Sequence, residues 1–465
     1  MTNFFNKLRL LFLILFKLIQ KKIRILSTSL LILTLLIFTT LKFEILNLNQ
    51  DYLSEGFIGT YQTGDLPDPV LKLLSSSLIS VDPTGKPKPN LSSSWEVNSD
   101  ATIFKFKLKD GLKWTDHSPV KTSDLEFNIP DVEVSFPDDK IVQFKLSSPF
   151  SPFPTLLTRP IFKKGGSLLG VGPYKLSKIE RSRIFITKII LEPVKDKRLP
   201  SLSIRFYPNE KTAQTAFALG EINALFGPVD LHPYSSYPQV KIHQSTILSK
   251  IVTIFYNTSD KVLSNRSLRQ ALSFQAPEIK DEIVAETNLS PNSWGYHKPE
   301  KDFLGNSDEA KAALSRAKAN ISEDLLQKEI VLTSTPTLES VGRKVISVWQ
   351  ELGIKATLRV ESGIPQNFQA LLITQTIPHD PDQYSLWHST QTKTNISKYD
   401  SKRADKDLED ARKTANEEER KEKYSDLQRV LLEDSPATFL YFPKFNIVYL
   451  KKAEAKLQKV LPAQI

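Results

Sequence analysis

No cysteine occurs in the 465 residues. That leaves no thiol for disulfides, thiolate metal sites, a cysteine nucleophile or a lipid anchor on an N-terminal Cys. The chain also lacks a G-x-S-x-G elbow, a Walker loop and an H-E-x-x-H pair, and Gly170 with Gly172 lack the third glycine of a dinucleotide fingerprint. The histidines His117, His232, His243, His297, His379 and His388 show no i, i+4 spacing, so they read as surface or packing residues rather than metal ligands. No metal, cofactor or catalytic residue is expected. Carboxylates are plentiful, but nothing in the sequence selects two of them as an acid and base pair.

Acidic residues are missing from positions 1 to 42, where Lys7, Arg9, Lys17, Lys21, Lys22, Arg24 and Lys42 hold seven of the ten net positive charges. The remaining excess is too small and dispersed for a phosphate footprint, so a nucleic-acid partner is not expected. Ile25 to Leu41, ILSTSLLILTLLIFTTL, carries no charge over 17 residues, about the minimum for a spanning helix. Basic residues concentrated before it keep residues 1–24 cytoplasmic or interfacial and send the rest outward. Residues 25–43 are read as a transmembrane signal anchor. A cleaved signal peptide is the alternative, although no small-x-small site follows.

Beyond the anchor, 40% hydrophobic and 25% charged residues describe a globular body, long enough for two or three subdomains. No internal repeat or low-complexity linker divides it. Residues 55–64 read as a strand running into a loop, and Asp82-Pro83-Thr84-Gly85 as a turn. Alternation from Trp95 to Leu108 predicts a half-buried strand ending at Asp110-Gly111. Helices are expected at 209–220, capped by Gly220, at 265–275 and at about 336–352, with strands at 251–256 and 354–360. Opposite charges at i, i+4 across 402–433 predict one exposed-faced helix whose apolar positions are Leu408, Tyr424, Leu427, Val430 and Leu431. Strands early and helix-strand alternation late imply a mixed α/β architecture.

Several segments, in order, resemble the oligopeptide-, dipeptide- and nickel-binding receptors of ABC importers, the family 5 solute-binding proteins. Asp82 to Glu96 (DPTGKPKPNLSSSWE) and Phe104 to Pro119 (FKFKLKDGLKWTDHSP) are similar to the family's "D-x-x-G-x-x-x-P-x-L-A-x-S-W" and "F-x-L-R-x-G-V-K-W-S-D-G-x-P". Gly170 to Tyr174, Ala218 to Ala224, Asn257-Thr258, Asn265 to Leu272, Trp349 to Lys355, Asp380-Pro381-Asp382 and Glu433 to Ala437 continue the order. His117 stands where the family's turn has glycine, and Asn223 where Asp is common. Ile377 occupies the position, three before Asp380, where peptide-binding members carry an acidic partner for the ligand's α-ammonium.

The resemblance implies a two-lobed periplasmic-binding-protein-like fold, the large three-subdomain variant of type II. Lobe I would comprise residues 44–250, with an inserted subdomain at about 65–168. Lobe II would comprise 251–438, and 439–465 would return to lobe I through crossings near 246–252 and 436–442. Cleft residues are expected at Tyr61, Tyr256, Trp294, Asp380, Asp382 and Trp387, with Asp380 and Asp382 the nearest candidates for an ammonium partner. The implied protein is a monomer at the outer face of the membrane that passes a peptide or other small solute to ABC permease subunits. A membrane-anchored hydrolase and a surface scaffold that has lost transport are the rival readings.

Overall fold

The strand Lys250–Tyr256 is buried at every residue after Lys250, which requires cover on both faces. It lies inside a six-stranded sheet, paired antiparallel with Ala370–Thr376 on one side and Ala437–Phe442 on the other. Successive side chains point to opposite faces. Val252, Ile254 and Tyr256 join a core with Leu268, Leu272, Ala313, Val345 and Trp349, which belong to the helices Arg266–Gln275, Ser307–Asn320 and Glu339–Glu351. Ile251 and Phe255 join a second core with Trp387, Leu408, Tyr424, Leu427 and Leu431. This sheet and its two helical layers form lobe II.

The computed structural model describes Thr34 and residues 52–165, 168–363 and 365–464. Apart from Thr34, the anchor stretch Ile25 to Leu41 lies outside the described residues. Among the described residues no helix is long and apolar enough to cross a membrane. From Ser54 onward the chain forms one unit.

Lobe I is built on a seven-stranded mixed sheet. Its strands run in the spatial order Val240–Thr246, Lys444–Leu450, Ala224–Phe226, Tyr52–Ile58, Ser201–Tyr207, Phe185–Pro193 and Tyr174–Ser182. Between the fourth and the last of these in space, the chain inserts a four-stranded antiparallel sheet whose core gathers Phe104, Phe106, Trp114, Phe144 and Phe153.

The chain crosses between the large sheets twice, and the crossings are neighbours. Residues 247–249 link Val240–Thr246 to Lys250–Tyr256, Pro443 links Ala437–Phe442 to Lys444–Leu450, and the Ile247 N–H donates to the Pro443 carbonyl at 2.9 Å. The chain therefore leaves the six-stranded sheet at Pro443. All six residues of Ala437–Phe442 are buried, so this strand stays in the six-stranded sheet to its end.

Other expectations change for local reasons. The predicted strand from Trp95 to Leu108 is a hairpin of Ser92–Val97 and Ile103–Leu108, turned by Asn98, whose Oδ1 accepts from the N–H groups of Thr102 and Ile103 at 2.9 and 2.8 Å. The single helix predicted over 402–433 is two, Lys402–Lys413 and Glu417–Asp434. Asn416 breaks it by capping the N–H groups of Glu418 and Glu419. His117 takes φ +70°, the left-handed conformation that glycine adopts at little cost.

Candidate functional site

At the crossings, both lobes contribute to one cavity of about 170 Å³. Lobe I supplies the turn Asp82-Pro83-Thr84-Gly85. The crossing supplies Leu248 and Ser249, and lobe II supplies Leu289, Ser290, Ser293 and Ile377-Pro378-His379.

The lobe I turn is rigid for reasons of its own chemistry. Asp82 Oδ1 accepts from the Thr84 N–H at 2.8 Å, the Thr84 hydroxyl at 2.6 Å and the Lys86 N–H at 3.1 Å. The Thr84 hydroxyl, then the backbone N–H groups and Lys88, hold the carboxyl at about 2. Gly85 has φ +89°, and a Cβ there would come within 2.2 Å of the His379 carbonyl oxygen. Only glycine lets the two lobes meet this closely. The Thr84 carbonyl also accepts from the Trp294 N–H across the gap at 3.0 Å.

The opposite wall is held from beneath by two ion pairs, one buried and one whose arginine is partly open to solvent. Asp380 meets Arg420 at 2.6 Å, and Asp382 meets Arg412 at 2.7 Å. Burial raises the pKa of Asp380 against the pull of Arg420. The Ile377 N–H donates to the Ser249 carbonyl at 2.9 Å, which ties the loop to the crossing. Ile377 is 4% exposed and presents hydrocarbon to the cavity. Burial, with Lys72 nearby, pulls the pKa of His379 down, so its imidazole is neutral at pH 7.

Further from the crossings, more contacts join the lobes. Ser151 donates its N–H and its hydroxyl to the Arg412 carbonyl, both at 3.1 Å, and its hydroxyl also reaches the Thr414 carbonyl at 2.6 Å. Lys86 pairs with Glu417 at 2.6 Å, and the Arg412 guanidinium lies 4.9 Å from the Phe150 ring centre. The carbonyls left over at the end of helix Lys402–Lys413 are thus satisfied by a serine of the other lobe.

The expected cleft residues divide. Tyr256 is 0% exposed, its hydroxyl bonded to Thr438 at 2.8 Å and its ring near Trp349. It is the last residue of a strand covered on both faces, not the first of a cleft loop. Trp387, also 0% exposed, donates to Gln383 Oε1 at 2.7 Å and packs on Phe255 and Phe439. Asp380 and Asp382 lie in the loop behind the cavity wall, each turned onto its arginine. Half-buried Trp294 sits beside Ser293 with Arg420 over its ring at 5.0 Å. Tyr61 lies apart from this cavity. Its hydroxyl bonds back to the Ile58 carbonyl at 2.8 Å and its ring meets Phe206 edge-on.

Sequence reasoning passed over the hydroxyls of Thr84, Ser249, Ser290 and Ser293, and the partners Arg412 and Arg420. The Asp82 turn chemistry was a signal for Thr84. The serines had none, because their role depends on two lobes meeting. Among the described residues no group of His, Asp and Glu side chains could hold a metal ion.

The family model described as bacterial extracellular solute-binding proteins, family 5 Middle, matches residues 128–396. The dipeptide-binding protein of Escherichia coli (strain K12) is 22% identical over 441 residues, covering 76% of this chain and 80% of its own length. Among solved structures, NikZ from Campylobacter jejuni in complex with Ni(L-His) superposes with a TM-score of 0.70 at 21% identity, over 86% of this chain and 94% of NikZ. The oligopeptide-binding protein AppA from Bacillus subtilis in complex with a nonapeptide gives 0.65 at 21% identity, over 86% and 95%. At these identities the solved structures establish the shared two-sheet α/β fold. With more than half of its residues inside the family match, the chain belongs to the bacterial extracellular solute-binding proteins of family 5.

Proposed function

We propose that this protein captures peptides or peptide-like solutes outside the cytoplasm, between its two lobes, and presents them to the permease of an ABC importer. The observation that carries this reading is the interlobe cavity, walled by residues of both lobes beside two adjacent single-chain crossings. Such crossings can flex as a hinge, and a ligand that touches both walls stabilises the closed arrangement by contacts the open one lacks. The names of the Escherichia coli relative and of AppA, which include dipeptide and nonapeptide ligands, agree with a peptide-sized range.

No bond of the ligand is broken in this scheme. The cavity wall carries hydroxyls, main chain, a neutral imidazole and the Asp82 carboxylate, groups suited to holding a peptide by hydrogen bonds. A monomer tethered through Ile25 to Leu41 would keep the binding lobes close to the permease. Mass spectrometry of small molecules released from gently purified protein tests the reading. An intact bound peptide supports a receptor, cleaved products support a hydrolase, and a consistently empty cleft supports a scaffold.

A further inference from the structure

The interlobe cavity has one carboxylate in its wall, and that carboxylate is already matched. Asp82 Oδ1 takes three donors, and Oδ2 faces Lys88 Nζ at 3.4 Å. Asp380 and Asp382, the nearest other acids in the loop, are turned into Arg420 and Arg412. Ile377 offers hydrocarbon, and the charges acting on neutral His379 are cationic Lys72 and, more weakly, anionic Asp68. An ammonium group entering here would lose its hydration with no uncommitted carboxylate in the cavity wall to replace it.

What the cavity does offer is hydroxyl protons. Ser290 Oγ accepts from the Asn292 N–H at 3.3 Å and Ser293 Oγ from the Gly295 N–H at 3.4 Å. Each hydroxyl keeps its own proton to donate. Two such donors beside an isoleucine suit a carbonyl carrying a small apolar group.

We propose that this cavity receives an uncharged, acyl-like end of the ligand, so that peptides with a blocked amino terminus are preferred over those with a free α-ammonium. The inference rests on the peptide-binding reading above and adds the chemical state of the ligand's end.

Isothermal titration of the full-length protein in detergent micelles tests it, using alanine peptides of two to five residues, each with a free and an N-acetylated amino terminus. At pH 7 the acetylated peptide of the best-bound length should bind at least about tenfold more tightly than its free counterpart. Raising the pH past the α-amino pKa of about 8 should bring the free peptide toward the acetylated one, whose own affinity serves as the reference. Ile377→Asp should shift preference toward the free peptide at pH 7. Should that variant fail to fold, the pH series on the unaltered protein decides alone. Free peptides that bind as tightly as acetylated ones at pH 7 would overturn the inference and leave peptide binding intact. If no peptide of either kind binds, the peptide reading falls and the inference with it.

Discussion

Arg412 grips Asp382 with two nitrogens, Nε at 3.0 Å and Nη2 at 2.7 Å from Oδ2, while its guanidinium lies 3.9 Å from the centre of the Tyr384 ring. Both Asp382 and Asp380 therefore act as anchors for the loop that carries Ile377. Removing one partner of such a pair leaves the other buried and uncompensated. Asp380→Asn should destabilise the protein by about 3 kcal/mol, and Asp382→Asn, whose partner is more open to solvent, by less. Urea unfolding of the variants measures this. A loss of free-peptide affinity with unchanged stability would show that these acids read the ligand.

Ser151 should matter to closure rather than to folding. Its hydroxyl bonds only to carbonyls of the opposite lobe, and a hydrogen bond of this kind contributes about 1 kcal/mol. Ser151→Ala should weaken ligand binding by roughly fivefold, mainly through faster dissociation, with the melting temperature unchanged. Stopped-flow release combined with thermal denaturation separates the two effects.

Glu55 is fully buried in lobe I, with Oε2 accepting from Gln464 Nε2 at 2.8 Å. Burial, opposed by that bond, raises its pKa to about 8. The folded protein then binds this proton more tightly than the unfolded chain does. The stability tied to Glu55 is fully present below about pH 4.5 and falls until about pH 8, above which it levels off. The slope approaches about 1.4 kcal/mol per pH unit for one proton. Glu55→Gln should flatten stability between pH 5 and 8, as read by urea denaturation; a parallel decline in the variant would assign the pH dependence to other groups.

The proposed anchor makes a separate prediction. Removing residues 1–43 should release a soluble protein that retains its fold and ligand binding, while the full chain stays with the membrane. Protein recovered from its own cell with an amino terminus beyond residue 43 would mean that the segment is cleaved.

Within the sequence itself lay the element types, the mixed α/β class and the order of motifs that marks the family. Local chemistry suffices for these. Asn209 and Asn265 cap helices close to their expected starts, and Leu408, Tyr424, Leu427, Val430 and Leu431 are all buried as their spacing implied. Ile377 stands in the cavity wall. What the sequence could not settle is which side of each element meets the cleft. Tyr256 ends a strand beside an asparagine in the sequence, yet helices on both faces of its sheet enclose it. Asp380 and Asp382 look like available charges until Arg420 and Arg412, 40 and 30 positions away, are folded onto them. A carboxylate's capacity to read a ligand depends on whether another side chain already satisfies it, and that partner is chosen by packing across the lobe rather than by neighbours along the chain.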